Sequence, residues 1–378
     1  CMSWVTSPAA AELEERMMQW LRQMLGLPAG WDGVIQDTAS TATLCSLLTA
    51  REVRSGFAVN SRGFTGDQRY SVYCSSEAHS SIEKGVKIAG IGRDNLRIIP
   101  VDDAFAMDPA ALERAVVADR ARGLTPLAVV AAFGTTGSTA VDPLAAIGEI
   151  CARHHLWLHI DAAYAGTALL LPEYRELVKG IEQADTFVFN PHKWMFTNFD
   201  CSAYFVKDRD ALVRTFEILP EYLKTHEREA VNNYRDWGIQ LGRRFRALKL
   251  WFVIRTYGVE GLKERLRSQI GMARCLEERM RQEPGVELLA PRLFTVLCFR
   301  WHPAGLDDEL RLNELNMALM ERLNATGDLY ISHTRLNGRV ALRFVISQTT
   351  VEQRHVDRAW EVIRREAAAL STTHPSSL

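Results

Sequence analysis

A lysine that directly follows an apolar run is the clearest chemical signal in the sequence. The run Thr186 to Phe189 has the pattern of a short strand, and the segment Asn190 to Trp194 follows it, with Lys193 between a histidine and a tryptophan. Most lysines are solvated surface charges, but these neighbours predict a less solvated environment for this one. A desolvated lysine can lose its proton and attack an aldehyde to form a Schiff base. The pattern therefore predicts an amine nucleophile at Lys193.

A carboxylate lies one strand-and-helix unit earlier in the chain. Asp161 ends the apolar run Leu156 to Ile160 and is followed by Ala162 and Ala163. The cofactor pyridoxal phosphate (PLP) accepts electrons only while its pyridine nitrogen is protonated, and a fixed carboxylate keeps that proton in place. The two alanines are small enough for a flat ring to lie against the backbone. An aspartate after a strand is also common as a turn residue, but the spacing favours a site shared with Lys193.

Three further segments follow predicted strands and carry small or polar side chains. Residues 37–41 place hydroxyl groups at a helix start, which is typical of a phosphate site and also of ordinary helix caps. His79 follows the strand Ser71 to Tyr73, where an imidazole can stack on a ring or simply end a helix. Thr135 follows the strand Leu127 to Phe133 and can hydrogen-bond a ring substituent. The predicted roles of Lys193 and Asp161 strengthen the interpretation of these segments as cofactor contacts.

The elements that must position these residues alternate between strand and helix patterns from residue 33 to about residue 206. Such alternation predicts an α/β fold with a mainly parallel sheet flanked by helices, in which ligands bind at the carboxyl ends of the strands. We expect a large domain over residues 1–248, a smaller α+β domain over 249–370 and a disordered tail over 371–378. The polar stretch 208–235 is typical of an exposed loop, and a helix pattern runs from Trp237 to about Gly258.

Composition favours small-molecule chemistry. The 378 residues are 47% apolar and carry a formal net charge of −1, so the chain can bury a large core and has no field that attracts nucleic acid or an anionic membrane. No apolar stretch is long enough to span a bilayer. The seven cysteines show no metal-site or disulfide spacing. We therefore expect a cytoplasmic protein that binds no metal, nucleic acid or membrane.

Three segments together resemble the group II PLP-dependent amino-acid decarboxylases, particularly the aromatic-L-amino-acid decarboxylase branch. They are His159 to Gly166, Asn190 to Ala203 and Leu241 to Arg246, and the similarity extends over nearly the whole chain. The resemblance implies the PLP-dependent transferase fold of type I, a homodimer, and conversion of an aromatic L-amino acid to the amine and carbon dioxide. Tyrosine, dihydroxyphenylalanine, tryptophan and phenylalanine are the candidate substrates. It also implies a further amino-terminal segment before Cys1, so we expect the chain to be a fragment.

The same resemblance assigns roles around the cofactor ring. It implies that Lys193 forms the Schiff base with PLP and that Asp161 pairs with the pyridine nitrogen. His79 then stacks on one face of the ring and Ala163 packs on the other. Thr135 contacts a cofactor oxygen or the substrate.

The phosphate and the catalytic loop are assigned in the same way. The resemblance implies that Ala39, Ser40 and Asn190 hold the phosphate and that His192 lies beside the lysine. The segment around Tyr222 matches the catalytic loop of the family, whose tyrosine returns a proton to the α-carbon after carbon dioxide leaves. Related aldehyde synthases tend to have phenylalanine at this position, whereas this sequence has tyrosine.

Three alternatives remain at this point. An aromatic aldehyde synthase would use the same fold and cofactor but let oxygen intercept the reaction, and Tyr222 disfavours it. An aminotransferase matches the motifs less well. A non-catalytic scaffold on the same fold is disfavoured because all the predicted cofactor positions carry suitable residues.

Overall fold

A computed structural model of the protein describes residues 3–66, 68–218 and 231–373. The described residues fold into two compact units. The first comprises the chain up to Leu262 apart from residues 136–140, and the second comprises residues 136–140 and the chain from Lys263 onward. The division into domains at residue 248 stays a prediction.

Most of the helices and strands belong to the first unit and follow the alternation predicted from the sequence. The helices are α1 (Pro8–Leu25), α2 (Ala39–Arg54), α3 (Ala58–Arg62), α4 (Ser81–Ile88), α5 (Pro109–Ala121), α6 (Leu144–His154), α7 (Pro191–Trp194), α8 (Arg209–Phe216) and α9 (Arg246–Gln282). The last has non-helical backbone at Gly258 and continues past Leu262 into the second unit. The strands are β1 (Asp32–Gln36), β2 (Tyr70–Ser75), β3 (Leu96–Ile99), β4 (Thr125–Ala132), β5 (Trp157–Asp161), β6 (Thr186–Phe189) and β7 (Ser202–Val206).

These seven strands form one sheet in the order β1-β7-β6-β5-β4-β2-β3. Strands β2 to β6 pair in parallel, whereas β7 runs antiparallel to both β6 and β1. Strand β1 therefore points the same way as the parallel strands. The prediction of a mainly parallel sheet is confirmed.

Helices cover both faces of this sheet. Helices α2 and α4 pack on one face, and Tyr73 on the opposite side of β2 donates its hydroxyl to Asp119 of α5 at 2.9 Å. The strands are buried on both faces, as expected of a parallel sheet between helical layers. Apolar residues that fill the α2 and α4 side are Leu44, Leu47, Val72, Ile82, Val86, Ala128 and Val130.

Part of the stretch predicted to be an exposed loop is a helix, so that prediction is wrong for residues 209–216. Asp208 accepts a hydrogen bond from the backbone N–H of Ala211 and so caps α8, while Leu212 is buried against the sheet. The sequence did not predict α8 because most of its residues are polar and only a narrow face of this short helix is apolar.

The helix predicted from Trp237 begins only at Arg246. The Trp237 ring packs 5.3 Å from that of Tyr234, and both rings are buried. Packing of these rings against the sheet core replaces helix formation there, because tertiary burial overrides local periodicity.

The second unit contains a separate antiparallel sheet in the order β10-β11-β9-β8, made of β8 (Val286–Leu288), β9 (Val296–Trp301), β10 (Ser332–Leu336) and β11 (Arg339–Val345). Helices α10 (Glu309–Ala325) and α11 (Gln353–Thr373) pack on it. The α+β character predicted for this part is confirmed. The chain stays helical to Thr373, into the segment for which composition predicts disorder. None of the helices in the described residues is both long and apolar enough to cross a bilayer.

Candidate active site

The predicted site residues gather at one edge of the seven-stranded sheet. Because β1, β2, β4, β5 and β6 run in the same direction, their carboxyl ends lie at this edge. In the sheet register Asp161 lies beside Ala132 of β4 and Val188 of β6. Thr135 and Lys193 each follow within a few residues of those neighbours, so the sheet brings all three to the same edge.

Lys193 lies in the short helix α7, directly after β6. Its backbone N–H donates to the carbonyl of Asn190 at 2.9 Å, which forms the turn out of the strand. Trp194 is fully buried and stacks on Tyr164 with ring centroids 5.2 Å apart. Lys193 itself is exposed. The neighbours of Lys193 therefore do not shield it from solvent, and the predicted less solvated environment is not found. Consecutive helical residues point about 100° apart, so the turn that directs Trp194 inward leaves Lys193 outward.

Asp161 ends β5 and is held by the turn that follows. Its Oδ1 accepts a hydrogen bond from the backbone N–H of Ala163 at 3.0 Å. The N–H of Ala162 donates to Val188, and the N–H of Asn190 donates to Ala163. These bonds join the turn after β5 to the end of β6, so the carboxylate and the lysine helix are built on one hydrogen-bonded frame.

The start of α2 and the side chain of Asn190 form the predicted phosphate end. Thr38 caps α2 by accepting from the N–H of Thr41, and the first N–H groups of a helix have no partner within it. Asn190 is buried, and its Oδ1 accepts the hydroxyl of Ser202 at 2.7 Å. Because the amide oxygen of Asn190 accepts this bond, the side chain donates hydrogen bonds through its NH₂ group.

Ser202 is a residue that the sequence did not single out. Its hydroxyl also lies 3.3 Å from the carbonyl of Asp37, so it links β7 to the approach to α2. The only signal in the sequence is a serine at the start of a strand, and the contact depends on β7 pairing antiparallel between β1 and β6.

His79 and Thr135 occupy the ends of β2 and β4. The Nδ1 of His79 accepts the backbone N–H of Ser81 at 3.1 Å, so the neutral imidazole carries its proton on Nε2. The His79 ring is exposed, whereas Thr135 is buried. An exposed ring at this edge can lie on a planar ligand.

His192 is held in one orientation next to Lys193. Its Nδ1 accepts the backbone N–H of Cys201 at 2.8 Å, and its ring lies 4.7 Å from that of Phe199. Burial, followed by the charge of Lys193, lowers the pKa of His192 to about 4. At neutral pH it is therefore an uncharged imidazole with the proton on Nε2.

Tyr222, the predicted proton donor, lies outside the described residues. Among the described residues, no group of three or more His, Cys, Asp or Glu side chains is arranged to hold a metal ion.

The chemistry of this edge fits PLP. A carboxylate at the end of β5, a lysine amine after β6 and the helix amino terminus that follows β1 lie at one edge of the sheet. This set matches a pyridine nitrogen, an aldehyde and a phosphate on one small ring. Ala162 and Ala163 present no bulk beside the carboxylate. Asp161, Lys193 and Asn190 would hold the three ends of the cofactor.

Comparisons with known proteins identify the family. The model of the pyridoxal-dependent decarboxylase conserved domain matches residues 1–302. Phenylacetaldehyde synthase of Arabidopsis thaliana is 43% identical over 378 residues, covering 97% of this chain and 76% of that protein. Tyrosine decarboxylase 3 of Petroselinum crispum is 42% identical over 381 residues, covering 97% and 73%.

A solved structure shares the whole fold. The crystal structure of Oryza sativa TDC with PLP and tryptamine has a TM-score of 0.93 and 40% sequence identity, and covers 98% of this chain and 78% of that one. The predicted type I fold and the predicted PLP cofactor are thereby confirmed. The chain belongs to the pyridoxal-dependent decarboxylase family and is a PLP-dependent carboxy-lyase.

Proposed function

We propose that this chain removes the α-carboxylate of an aromatic L-amino acid and releases the amine and carbon dioxide. The observation that carries the proposal is the placement of Asp161 and Lys193 on the hydrogen-bonded frame formed by the ends of β5 and β6. The names of the relatives support the substrate class, since they include a tyrosine decarboxylase and a structure with tryptamine. Tyrosine, dihydroxyphenylalanine, tryptophan and phenylalanine are the proposed candidates.

Each end of the cofactor has a proposed partner. Lys193 would hold the aldehyde end of the cofactor through Nζ, Asp161 would keep a proton on the pyridine nitrogen, and Asn190 would donate to the phosphate. The N–H groups of Ala39 and Ser40 complete the phosphate contacts, where the dipole of α2 favours negative charge. When bound, PLP supplies a protonated ring that accepts the electron pair left by carbon dioxide.

The remaining residues orient the ring and the substrate. His79 would stack on one face of the cofactor ring and Ala163 would pack on the other, so that the ring would be restrained in one plane. Thr135 donates to a ring substituent or the substrate. His192, neutral because burial lowers its pKa to about 4, offers Nε2–H beside Lys193 without adding a second positive charge.

Tyr222 is proposed to return the proton to the α-carbon. Its phenol is a weak acid that gives up a proton to a strongly basic carbon, and a loop that carries it can exclude water and oxygen at that moment. The proposal rests on the sequence match of the loop. We also propose that the protein is cytoplasmic, in keeping with cysteines that show no disulfide or metal spacing. The proposal that it is a homodimer rests on the family resemblance.

An aromatic aldehyde synthase is the second candidate. The phenylacetaldehyde synthase of Arabidopsis thaliana, at 43% identity, favours it. Tyr222 favours the decarboxylase, because related aldehyde synthases tend to carry phenylalanine there. The two reactions differ in their consumption of oxygen.

The test is a product assay on the protein loaded with PLP. Each of the four aromatic amino acids is supplied separately, and carbon dioxide, amine, aldehyde and hydrogen peroxide are measured. We expect carbon dioxide and amine in equal amounts from at least one substrate. Aldehyde with hydrogen peroxide would assign the second candidate instead.

A variant ties the result to the site. Lys193→Ala should abolish both turnover and the visible absorbance of the bound cofactor, whereas Lys207→Ala, which changes a lysine that follows β7, should keep both. A Lys193→Ala protein with full turnover would contradict the assignment.

A further inference from the structure

A buried polar cluster lies next to the site, between α2 and strands β5 and β6. His159 is completely buried, and its two ring nitrogens contact the hydroxyls of Thr43 (Nε2, 3.1 Å) and Thr186 (Nδ1, 2.9 Å). Ser46 of α2 continues the cluster at 2.7 Å from the Thr186 hydroxyl, and its own oxygen accepts the indole N–H of Trp157 at 2.9 Å.

The His159 imidazole is neutral in this cluster. Burial lowers its pKa to about 4, and the charge of Asp161 only partly opposes that effect. A neutral ring has one N–H and one acceptor nitrogen, so one hydroxyl accepts from it and the other donates to it. Both nitrogens are thus satisfied at full burial, which avoids the free-energy cost of an unpaired polar group.

The cluster connects the three elements that carry the proposed cofactor contacts. Thr43 is one helical turn from Ala39 at the phosphate end of α2, and Thr186 begins the strand that leads to Lys193. His159 is two residues before Asp161, so both side chains project from the same face of β5. The hydrogen bonds therefore join the phosphate end, the carboxylate strand and the lysine strand.

We propose that His159 and Thr43 are positioning residues that set the distance between the phosphate-binding start of α2 and the Asp161 carboxylate. This inference rests on the proposed function, because it assigns those two groups to opposite ends of one cofactor. Apolar packing alone permits a helix to slide on a sheet, whereas hydrogen bonds with narrow length and angle limits define one position. A cofactor bound at both ends requires that one position.

The test compares two buried hydroxyls on the same helix. Thr43→Val removes the hydroxyl that faces His159 while keeping side-chain shape. Thr49→Val is the matched control, since Thr49 is equally buried in α2 and donates only to the backbone carbonyl of Cys45. Thr43→Ser keeps the hydroxyl and tests rescue. For each protein the affinity of the apoenzyme for PLP, kcat, KM and the melting temperature without cofactor are measured.

We expect Thr43→Val to bind PLP roughly tenfold more weakly and to lose roughly tenfold in kcat with little change in KM. Thr49→Val should match the parent protein in PLP affinity and kcat even if its melting temperature falls as far, and Thr43→Ser should recover most of the loss. Should Thr43→Val not fold, Thr43→Ala is compared with Thr49→Ala in the same assays.

Equal PLP affinity and kcat in Thr43→Val and Thr49→Val, or failure of Thr43→Ser to recover the loss, would overturn the inference. Neither result bears on the proposed function, which is tested separately by PLP binding and by the release of carbon dioxide and amine from the parent protein.

Discussion

Glu14 and Arg243 form a two-point ion pair in which both side chains are almost completely buried. The guanidinium nitrogens lie 3.0 and 2.6 Å from the two carboxylate oxygens. The pair also encloses Ile35, whose N–H donates to Glu14 and whose carbonyl accepts from Arg243. It therefore fixes the end of β1, from which the chain enters the start of α2, where we propose that the phosphate binds.

Removal of one partner of this pair should be strongly destabilising. Glu14→Ala leaves the Arg243 guanidinium buried without its carboxylate, and we expect a loss of about 3–5 kcal/mol in the free energy of unfolding. Glu12→Ala, an exposed position on the same helix, should change it by less than about 0.5 kcal/mol. Urea unfolding of both variants measures the difference, and similar midpoints would show that the ion pair contributes little.

Gly134, in the turn that leads to Thr135, should not tolerate a side chain. Its φ of +93° is rarely adopted by other residues, and an added Cβ would lie 2.5 Å from the Cβ of Ala165. We expect Gly134→Ala to cost about 1–3 kcal/mol and to weaken PLP binding. Gly242→Ala is the control, since no atom lies within 4 Å of an added Cβ there. Equal stability of the two variants would contradict the expected clash.

The buried His159 should make the protein less stable in acid. Its folded-state pKa of about 4 lies below the ordinary value of 6.5, so the unfolded state binds the proton first as pH falls. The contribution of the neutral His159 to the free energy of unfolding is complete above about pH 6.5 and is lost as the pH falls to about 4. The shift in pKa corresponds to a contribution on the order of 3 kcal/mol.

The measurement is the urea midpoint of the parent protein and of His159→Gln across that pH range. Gln cannot be protonated, so the variant should start less stable at neutral pH and decline less steeply in acid. Parallel declines would show that other groups control the acid transition.

Replacement of Tyr222 by phenylalanine should change the product rather than abolish the reaction. Without the phenol the α-carbon is protonated slowly, and dissolved oxygen can oxidise it, which yields aldehyde, ammonia and hydrogen peroxide in place of the amine. Simultaneous assays of amine and peroxide under air and under nitrogen check this. Tyr330→Phe, an exposed tyrosine of the second unit, is the control. Amine output that is unchanged in Tyr222→Phe would remove the proton-donor role.

Much of the candidate site could be predicted because its residues end or follow short strands that are mainly apolar. Asp161 is the last residue of β5, and Lys193 lies in the short helix that follows β6. Such strands are recognisable in the sequence because parallel strands are buried on both faces. The exposed state of Lys193 was not predictable in this way. It depends on the turn of α7 that buries Trp194.

The order of residue types along the chain determined the alternation of strands and helices, the edge of the sheet at which the candidate site residues lie, and the chemistry available to them. The tertiary structure alone decided that Ser202 reaches Asn190, that Glu14 meets Arg243, and that His159 joins α2 to the sheet. Strand pairing and helix packing bring together residues far apart in sequence, and no local pattern encodes those distances because they depend on the packing of the whole core.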